Sequence, residues 1–476
     1  MSFTSLSFLF VFLPGVLAGF AVVSRWGPAP AMGCLILGSL AFYAASNPCW
    51  LPVLLASLLA NALLGRWIRG TEAKPRTQTA ILAGGIALNL IGMAVGRSLG
   101  AVPPGISFIA FTQIGFLLDQ RGEGTDPFRP LSYPLLVVFF PHLIAGPILR
   151  VRDVSGQFRD PATWRLSGEN LAAGSFLFLI GLLKKTLLAD PLTTIVAPGF
   201  ADPASLGLLE AWGTALAWSF HLYFDFSGYS DMAIGLARLF GVRFPVNFAS
   251  PYKAQSVIEY WQRWHMTLTR FLMSTVYNPL ALAVMRWRRA RGWPTDRAAQ
   301  RSLGGFCSMM LAPLVVTMGL AGVWHGAGLT FLVFGLLHAG FLGINHAWRV
   351  FRPGVRSGAW QAVIARVTLT YLCVLVGAVI FRAPSMEIAG TLLRGMAGFG
   401  AGHSDAGDAY RTVHALWLAG LGAIVWGMPN TQQIMDGGTA WPRWRPNTSW
   451  AVAAGCAASL ALLSLGGTGA FVYFQF

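Results

Sequence analysis

The apolar residues of this chain fall in long blocks separated by short polar loops. Candidate membrane helices cover 3–23, 31–46, 48–66, 78–98, 168–188, 205–222, 305–323, 327–348, 360–382, 411–428 and 448–466. A helix needs about 20 mostly apolar residues to cross roughly 30 Å of hydrocarbon. The pattern predicts an all-α polytopic membrane protein. No internal repeat, low-complexity tract or flexible linker interrupts it, so residues 1–476 read as one membrane domain.

Two apolar segments depart from simple spans. "VPPGISFIAFTQIGFLLD" (102–119) opens with two prolines and a glycine, and "YPLLVVFFPHLIAGPILR" (133–150) carries Pro134, Pro141 and Pro147. Proline removes a backbone donor and breaks helices. Broken backbone is tolerated at membrane depth only where it is buried in protein or lines a wet cavity. These segments are candidate re-entrant elements beside an interior cavity, or kinked ordinary spans.

Composition agrees with a membrane protein. Hydrophobic residues make up 55% of the chain and charged residues 11%, against about 25% charged in soluble domains. The net charge of +16 comes from arginines in short loops, such as "RWIRGTEAKPR" (66–76), "RVRDVSGQFRD" (150–160) and "RWRRARGWPTDRAAQR" (286–301). Basic loops of this kind face the cytoplasm, near anionic headgroups. The expected partner is therefore membrane lipid and not nucleic acid. Cys34, Cys49, Cys307, Cys373 and Cys456 are scattered without CxxC or metal-ligand spacing and read as small core residues. The first twenty residues lack a basic leader and read as a retained first span.

The densest chemistry lies at 219–278. Asp225 and Asp231 sit among apolar neighbours, and an intramembrane carboxylate marks a site or pathway by default. Six residues apart on one helix, they point about 120° apart, which argues against an acid dyad. The "FSG" between them offers a place for a bend. The alternative is that both lie at a membrane surface with backbone or arginine partners. Over 256–273, Glu259, Arg263 and Arg270 form a charged stripe, whereas Trp261, His265, Leu268 and Leu272 form an apolar face. This spacing predicts one amphipathic helix along the membrane surface, with His265 turned inward. His265 is then either a titratable site residue or a hydrogen-bonded core histidine.

"AGVWHGAGLTF" (321–331) lies inside a run from Ser302 to Trp348 that carries no Asp, Glu, Lys or Arg. Gly322, Gly326 and Gly328 allow the chain to turn and helices to approach closely. His325 is therefore expected at a helix junction. Imidazole can take and return a proton near neutral pH. His338 and His346 follow on the next span, whereas His142, His221, His403 and His414 have no comparable context. No GxSxG, Walker, HExxH or dinucleotide-binding glycine pattern is present, so neither a protein nucleophile nor a tightly held metal is expected. A histidine acting as general base on an external hydroxyl fits these residues.

"YFDFSGYSDMAIGLARLFGVRFPVNFASPY", "EYWQRWHMTLTRFL" and "GVWHGAGLTFLVFGLLHAG" together resemble the membrane-bound O-acyltransferase (MBOAT) family. They are most similar to its bacterial branch, which serves alginate O-acetylation and teichoic acid D-alanylation. "PPGISF", "FFPHLIAGPILR", "GLLKKTLLAD", "FRAPS" and the terminal "FVYFQF" extend the resemblance over most of the chain from about residue 100. It implies a ring of about 11 tilted helices, with re-entrant and interfacial helices, around a central funnel. Residues 1–100 would be the less motif-rich helices, 101–350 the catalytic core and 351–476 the C-terminal helices.

The resemblance implies catalysis by His325 at the base of a tunnel. His265 is the second family histidine, on the cytoplasmic side, where other branches carry asparagine. Asp225, Tyr229, Asp231, Asn247, Glu259, Trp264 and Trp324 are tunnel- or substrate-lining candidates, and the oxyanion donors would be the Trp264 or Trp324 indole N–H or backbone amides by the glycines. The donor would be a cytoplasmic thioester, acetyl-CoA or an acylated carrier protein, and no cofactor or metal would be held. The acceptor would be a cell-surface polysaccharide reached across a bacterial inner membrane, with a periplasmic SGNH-like acetyltransferase as partner. Two alternatives stand beside this: a transporter or channel using Asp225, Asp231 and His325 as contacts, or a D-alanyl or lipid acyltransferase of the same fold. The chain departs from the family at Tyr277, where "YNPLALAVMRWRRARG" stands in place of a "YIPLGGN"-like stretch.

Overall fold

The computed structural model describes residues 1–70, 74–98, 103, 105–121, 129–352, 354, 358–400, 408–435, 442–465, 469 and 471. Pro104, His403, residues 71–73 of the first basic loop and residues 472–476 of the terminal motif lie outside them. Among the described residues every regular element is a helix. Eight are long and apolar enough to cross a membrane, and Ile106–Asp119, Thr412–Gly427 and Thr448–Leu463 are shorter apolar helices.

The N-terminal spans Phe8–Trp26, Pro28–Ser46 and Pro48–Gly70 present most of their residues outward. α1 (Pro75–Ser98) is followed by α2 (Ile106–Asp119). Here the two proline-containing segments part ways. The first forms the regular and largely buried α2, entered through Gly105 at φ 73°. A Cβ on Gly105 would lie 2.3 Å from the Leu143 carbonyl oxygen, so only glycine lets the two segments meet. The second forms a seven-residue helix, Ser132–Val138, and then runs on as irregular buried chain to Leu149. It is not a kinked span. Its freed backbone finds side-chain partners, as where Ile148 N–H donates to Thr267 Oγ1 at 3.0 Å.

α3 (Gly168–Leu183) leads through a π-turn, Lys184–Ala189, into the rest of a 34-residue apolar stretch ending at Ala201. α4 (Leu208–Leu239) is the central helix. The candidate span 205–222 therefore does not stop at 222, and "FSG" does not bend it. At 32 residues it is about 48 Å long, and nearly every residue from Thr214 to Ala237 is buried. Its polar residues face protein rather than lipid, so charge along it does not end it.

α3 and α4 cross at glycines spaced seven apart on each helix. An added Cβ on Gly181 would lie 2.4 Å from Gly228 O, and one on Gly174 would lie 2.7 Å from Gly235 O. Small residues allow such backbone contact in membranes. Gly181→Leu is therefore expected to force the helices apart at a cost of about 3 kcal/mol. Gly156→Leu, with no atom within 4 Å of its added Cβ, is expected to be neutral. Thermal unfolding in detergent checks the pair; equal unfolding temperatures would remove the crossing as a stability determinant.

The expected continuous helix over 256–273 is not formed. α5 (Val257–Trp261) and α6 (Met266–Leu272) are separated by a turn, and most of their residues are buried in the protein. α7 (Ala312–His325), α8 (Leu329–Phe351) and α9 (Trp360–Arg382) complete the site. α7 and α8 form a tight hairpin: a Cβ on Gly322 would lie 2.3 Å from Phe331 O and 3.3 Å from Gly335 Cα.

Candidate active site

His325 is the last residue of α7 and is buried. The chain turns immediately after it at Gly326, where a side chain would strike the Phe331 ring. This is the junction expected from the glycine spacing. The imidazole packs on Trp324, with ring centroids 4.6 Å apart, and edge-on against Phe381 at 4.9 Å. Arg97, at the end of α1, donates from Nη1 to the Trp324 carbonyl and from Nη2 to Ser107 Oγ. A cation there complements the C-terminal end of the α7 dipole. The sequence pattern offers no signal for Arg97 beyond its being a charge at the end of a span.

His265 is held in the left-handed region, at φ 42° and ψ 52°. Such a conformation is uncommon for a residue with a side chain and persists only where its surroundings enforce it. The enforcing residue is Asn247. Its carbonyl accepts from Met266 N–H at 2.9 Å, and its Oδ1 accepts from Thr267 N–H at 3.2 Å and from Thr267 Oγ1 at 2.9 Å. His265 Nδ1 lies 3.1 Å from the same Oδ1. The helical-wheel argument for His265 thus rests on a helix that is absent, yet its outcome holds: the ring is 1% exposed, whereas Arg263 stays half-exposed.

His265 and His325 line one narrow cavity together with Tyr252, Tyr260, Trp261, Trp264 and His338, closed by apolar residues of α4, α6, α8 and α9. Its volume is about 30 Å³, room for about two water molecules. Trp264 stands in this wall, stacked near Tyr260 at 5.7 Å. Trp324 packs behind it, stacked on Phe111 at 5.1 Å.

The other candidates lie elsewhere. Asp225 and Asp231 belong to a buried ion network. Lys185 Nζ is 2.7 Å from Asp225 and 2.7 Å from Asp190, whereas Lys184 Nζ is 2.6 Å from Asp231. Thr431 donates to Asp231 at 2.6 Å. The two carboxylates diverge along α4, as their spacing predicts, and take different partners. Those partners are lysines, with Thr431 beside Asp231, and not the arginines of the alternative, and Asp225 is fully buried. The π-turn bearing the lysines lies against α4 through the glycine crossing. Tyr229 is sandwiched between Phe3 at 5.0 Å and Phe471 at 4.5 Å. Glu259 is engaged as a cap: it accepts from Gln255 N–H at 2.9 Å and from Arg263 Nη2 at 2.7 Å. Tyr229, Asp225, Asp231 and Glu259 are not part of the described cavity wall, and Asn247 supports it from behind. Among the described residues no group of three or more His, Cys, Asp or Glu side chains could hold a metal.

A family model for membrane-bound O-acyltransferases matches residues 126–291. The chain is 33% identical over 441 residues to the peptidoglycan O-acetyltransferase of Helicobacter pylori, across 82% of this chain and 79% of that protein. The chain belongs to the membrane-bound O-acyltransferase family. It is also 34% identical to the probable alginate O-acetylase AlgI of Pseudomonas fluorescens, across 84% of this chain and 76% of that one. The teichoic acid D-alanyltransferase of Bacillus subtilis is 27% identical, across 58% of this chain and 68% of its own. Family and helical architecture agree: this is a multi-pass membrane O-acyltransferase. The departure after Tyr277 falls within the matched region. It follows a π-turn, Met273–Tyr277, and forms a helix, Asn278–Ala290, whose Trp287 ring lies 4.2 Å below the Arg291 guanidinium.

Proposed function

We propose that this membrane-bound O-acyltransferase moves an acetyl group from a cytoplasmic thioester across a bacterial inner membrane for O-acetylation of a cell-surface polysaccharide. The observation that carries this reading is the cavity between α4 and the α7–α8 hairpin, walled by His265 and His325 with no serine, cysteine, lysine or carboxylate among its described lining residues. His325 is the general base. It takes the proton of the acceptor hydroxyl as that oxygen bonds to the thioester carbon. The C–S bond then breaks, and the leaving thiolate receives the proton. His265 and Asn247 fix the opposite wall.

Acetyl as the group and a polysaccharide as the acceptor are supported by the two relatives that match most of the chain, a peptidoglycan O-acetyltransferase and a probable alginate O-acetylase. The donor is acetyl-CoA or an acylated carrier protein. A periplasmic SGNH-like transferase is the expected partner where the acceptor is an exopolysaccharide.

The test is turnover by purified protein in liposomes. Radiolabelled acetyl-CoA is supplied outside, and a peptidoglycan fragment or an alginate oligosaccharide is trapped inside. Label on the trapped sugar is the expected result. No label from acetyl-CoA or from acetylated carrier protein, with both acceptors present and a periplasmic SGNH-like transferase trapped with them, would overturn the reading.

A further inference from the structure

The approach to the last helix carries chemistry that acyl transfer leaves unused. "RWRPNTSW" (443–450) places two arginines and two tryptophans within eight residues. Tryptophans collect at the membrane–water interface, and arginines beside them meet anionic headgroups. The segment leads into α10 (Thr448–Leu463), an apolar helix.

α10 and the first span both pack on α3. Trp450 meets Phe176 edge-on at 5.1 Å, and Phe8 stacks near Phe178 at 6.5 Å. α3, α10 and the first span line a groove of about 920 Å³, large among ligand sites, which reach roughly 1,000 Å³. On α10 its face is small: Ala451, Ala454, Gly455 and Ala458. Such residues let a neighbour approach closely in a membrane, and here the space is open: a Cβ on Gly455 would meet nothing within 4 Å.

The groove has a polar end. Apart from Ser175, the hydrophilic side chains in its wall are Arg445, Asn447 and Thr448, and no acidic residue is among its described lining residues. Arg445 is exposed, and its guanidinium has no hydrogen-bond or ion-pair partner among the described residues. This end is cytoplasmic. α3 begins beyond the basic loop 150–160, and Glu169 in its first turn meets Arg238, at the end of α4, at 3.4 Å. Trp444 lies 5.8 Å from Phe176, which puts Arg445 on the same side.

Depth limits the occupant. α3 lines the groove from Ala172 to Leu182. That is about 15 Å of helix, half of a hydrocarbon core of roughly 30 Å. A transmembrane helix needs the whole core, whereas the chains of a lipid need one leaflet.

We propose that this groove binds an anionic phospholipid of the cytoplasmic leaflet. Its acyl chains lie along α3 and α10, and its phosphate pairs with Arg445. Charge sets the selectivity. The groove offers a cation and no anion, so an anionic head is preferred to a zwitterionic one on the same chains. The lipid joins the first span to α10 across a gap that the protein leaves open. The site is independent of acyl transfer.

Native mass spectrometry of the delipidated full chain tests the site, with phosphatidylglycerol and phosphatidylcholine of identical acyl chains as probes. Wild type is expected to bind one phosphatidylglycerol about fivefold more tightly than phosphatidylcholine, the usual effect of one arginine near anionic headgroups. Arg445→Gln is expected to lose that preference. Arg297→Gln removes an exposed charge from the 286–301 loop and is expected to keep it. Gly455→Phe puts a ring into the groove and is expected to weaken binding of both lipids. Equal affinities in wild type, an unchanged preference in Arg445→Gln, or the same loss in Arg297→Gln would reduce the groove to ordinary lipid solvation and overturn the site. Unchanged binding in Gly455→Phe would put the bound lipid elsewhere, and a wild-type dimer that Gly455→Phe dissociates would give the groove to a second copy; either overturns it. Where Gly455→Phe does not fold, the two arginine variants, both at exposed positions, decide alone.

Discussion

Replacing His325 by alanine is expected to lower acyl transfer by about 10²–10⁴, the usual contribution of a positioned general acid–base group. The argument is positional. The residue ends α7, packs against Trp324 and Phe381, and lines the cavity shared with His265. Its backbone neighbour is held by Arg97. Alanine removes the ring and leaves the turn at Gly326 intact, so the protein is expected to insert and remain monodisperse in detergent. His325→Phe adds a control that fills the space without a proton acceptor, and it is expected to be equally inactive. The measurement is radiolabel transfer from acetyl-CoA to a trapped acceptor, normalised to folded protein. Transfer at the wild-type rate in both variants would remove His325 from the chemistry.

The parts of this protein that were legible in its sequence are those set by local composition. Apolar blocks mark lipid-facing helices because lipid contact demands continuous apolarity. Glycines at 322, 326 and 328 mark the α7–α8 turn because close backbone approach demands a missing side chain. The rest depends on partners far along the chain. α4 runs past residue 222 because Lys184 and Lys185 neutralise its carboxylates, and Lys184 lies 47 residues from Asp231. Periodicity reads 256–273 as one helix because it cannot register that Asn247 holds His265 in the left-handed region. His338 lies within the charge-free run as one more histidine. Its proton is assigned only once Trp261, 77 residues away, is seen to donate to it.

Lys185→Met is expected to cost the fold about 3–5 kcal/mol, the usual penalty for removing one member of a buried ion group. Lys185 is 3% exposed and lies 2.7 Å from both Asp190 and Asp225. Methionine fills much the same space but leaves two carboxylates facing each other without a cation. The double variant Lys185→Met/Asp225→Asn removes one of those charges and is expected to recover part of the loss, because neutralising both sides of a buried pair is far less costly than breaking it. Lys184→Met is expected to cost less, because Thr431 still donates to Asp231 and the Lys184 side chain is less buried. Thermal unfolding of the purified protein in detergent reads the order: wild type highest, then Lys184→Met and the double variant, then Lys185→Met. A double variant no more stable than Lys185→Met would show that the lysine supports the fold through packing and not through charge. In that case the two carboxylates would have to share a proton or find another donor, and Asp225 would no longer be explained as the counter-ion that lets a charged helix run through the centre of the protein.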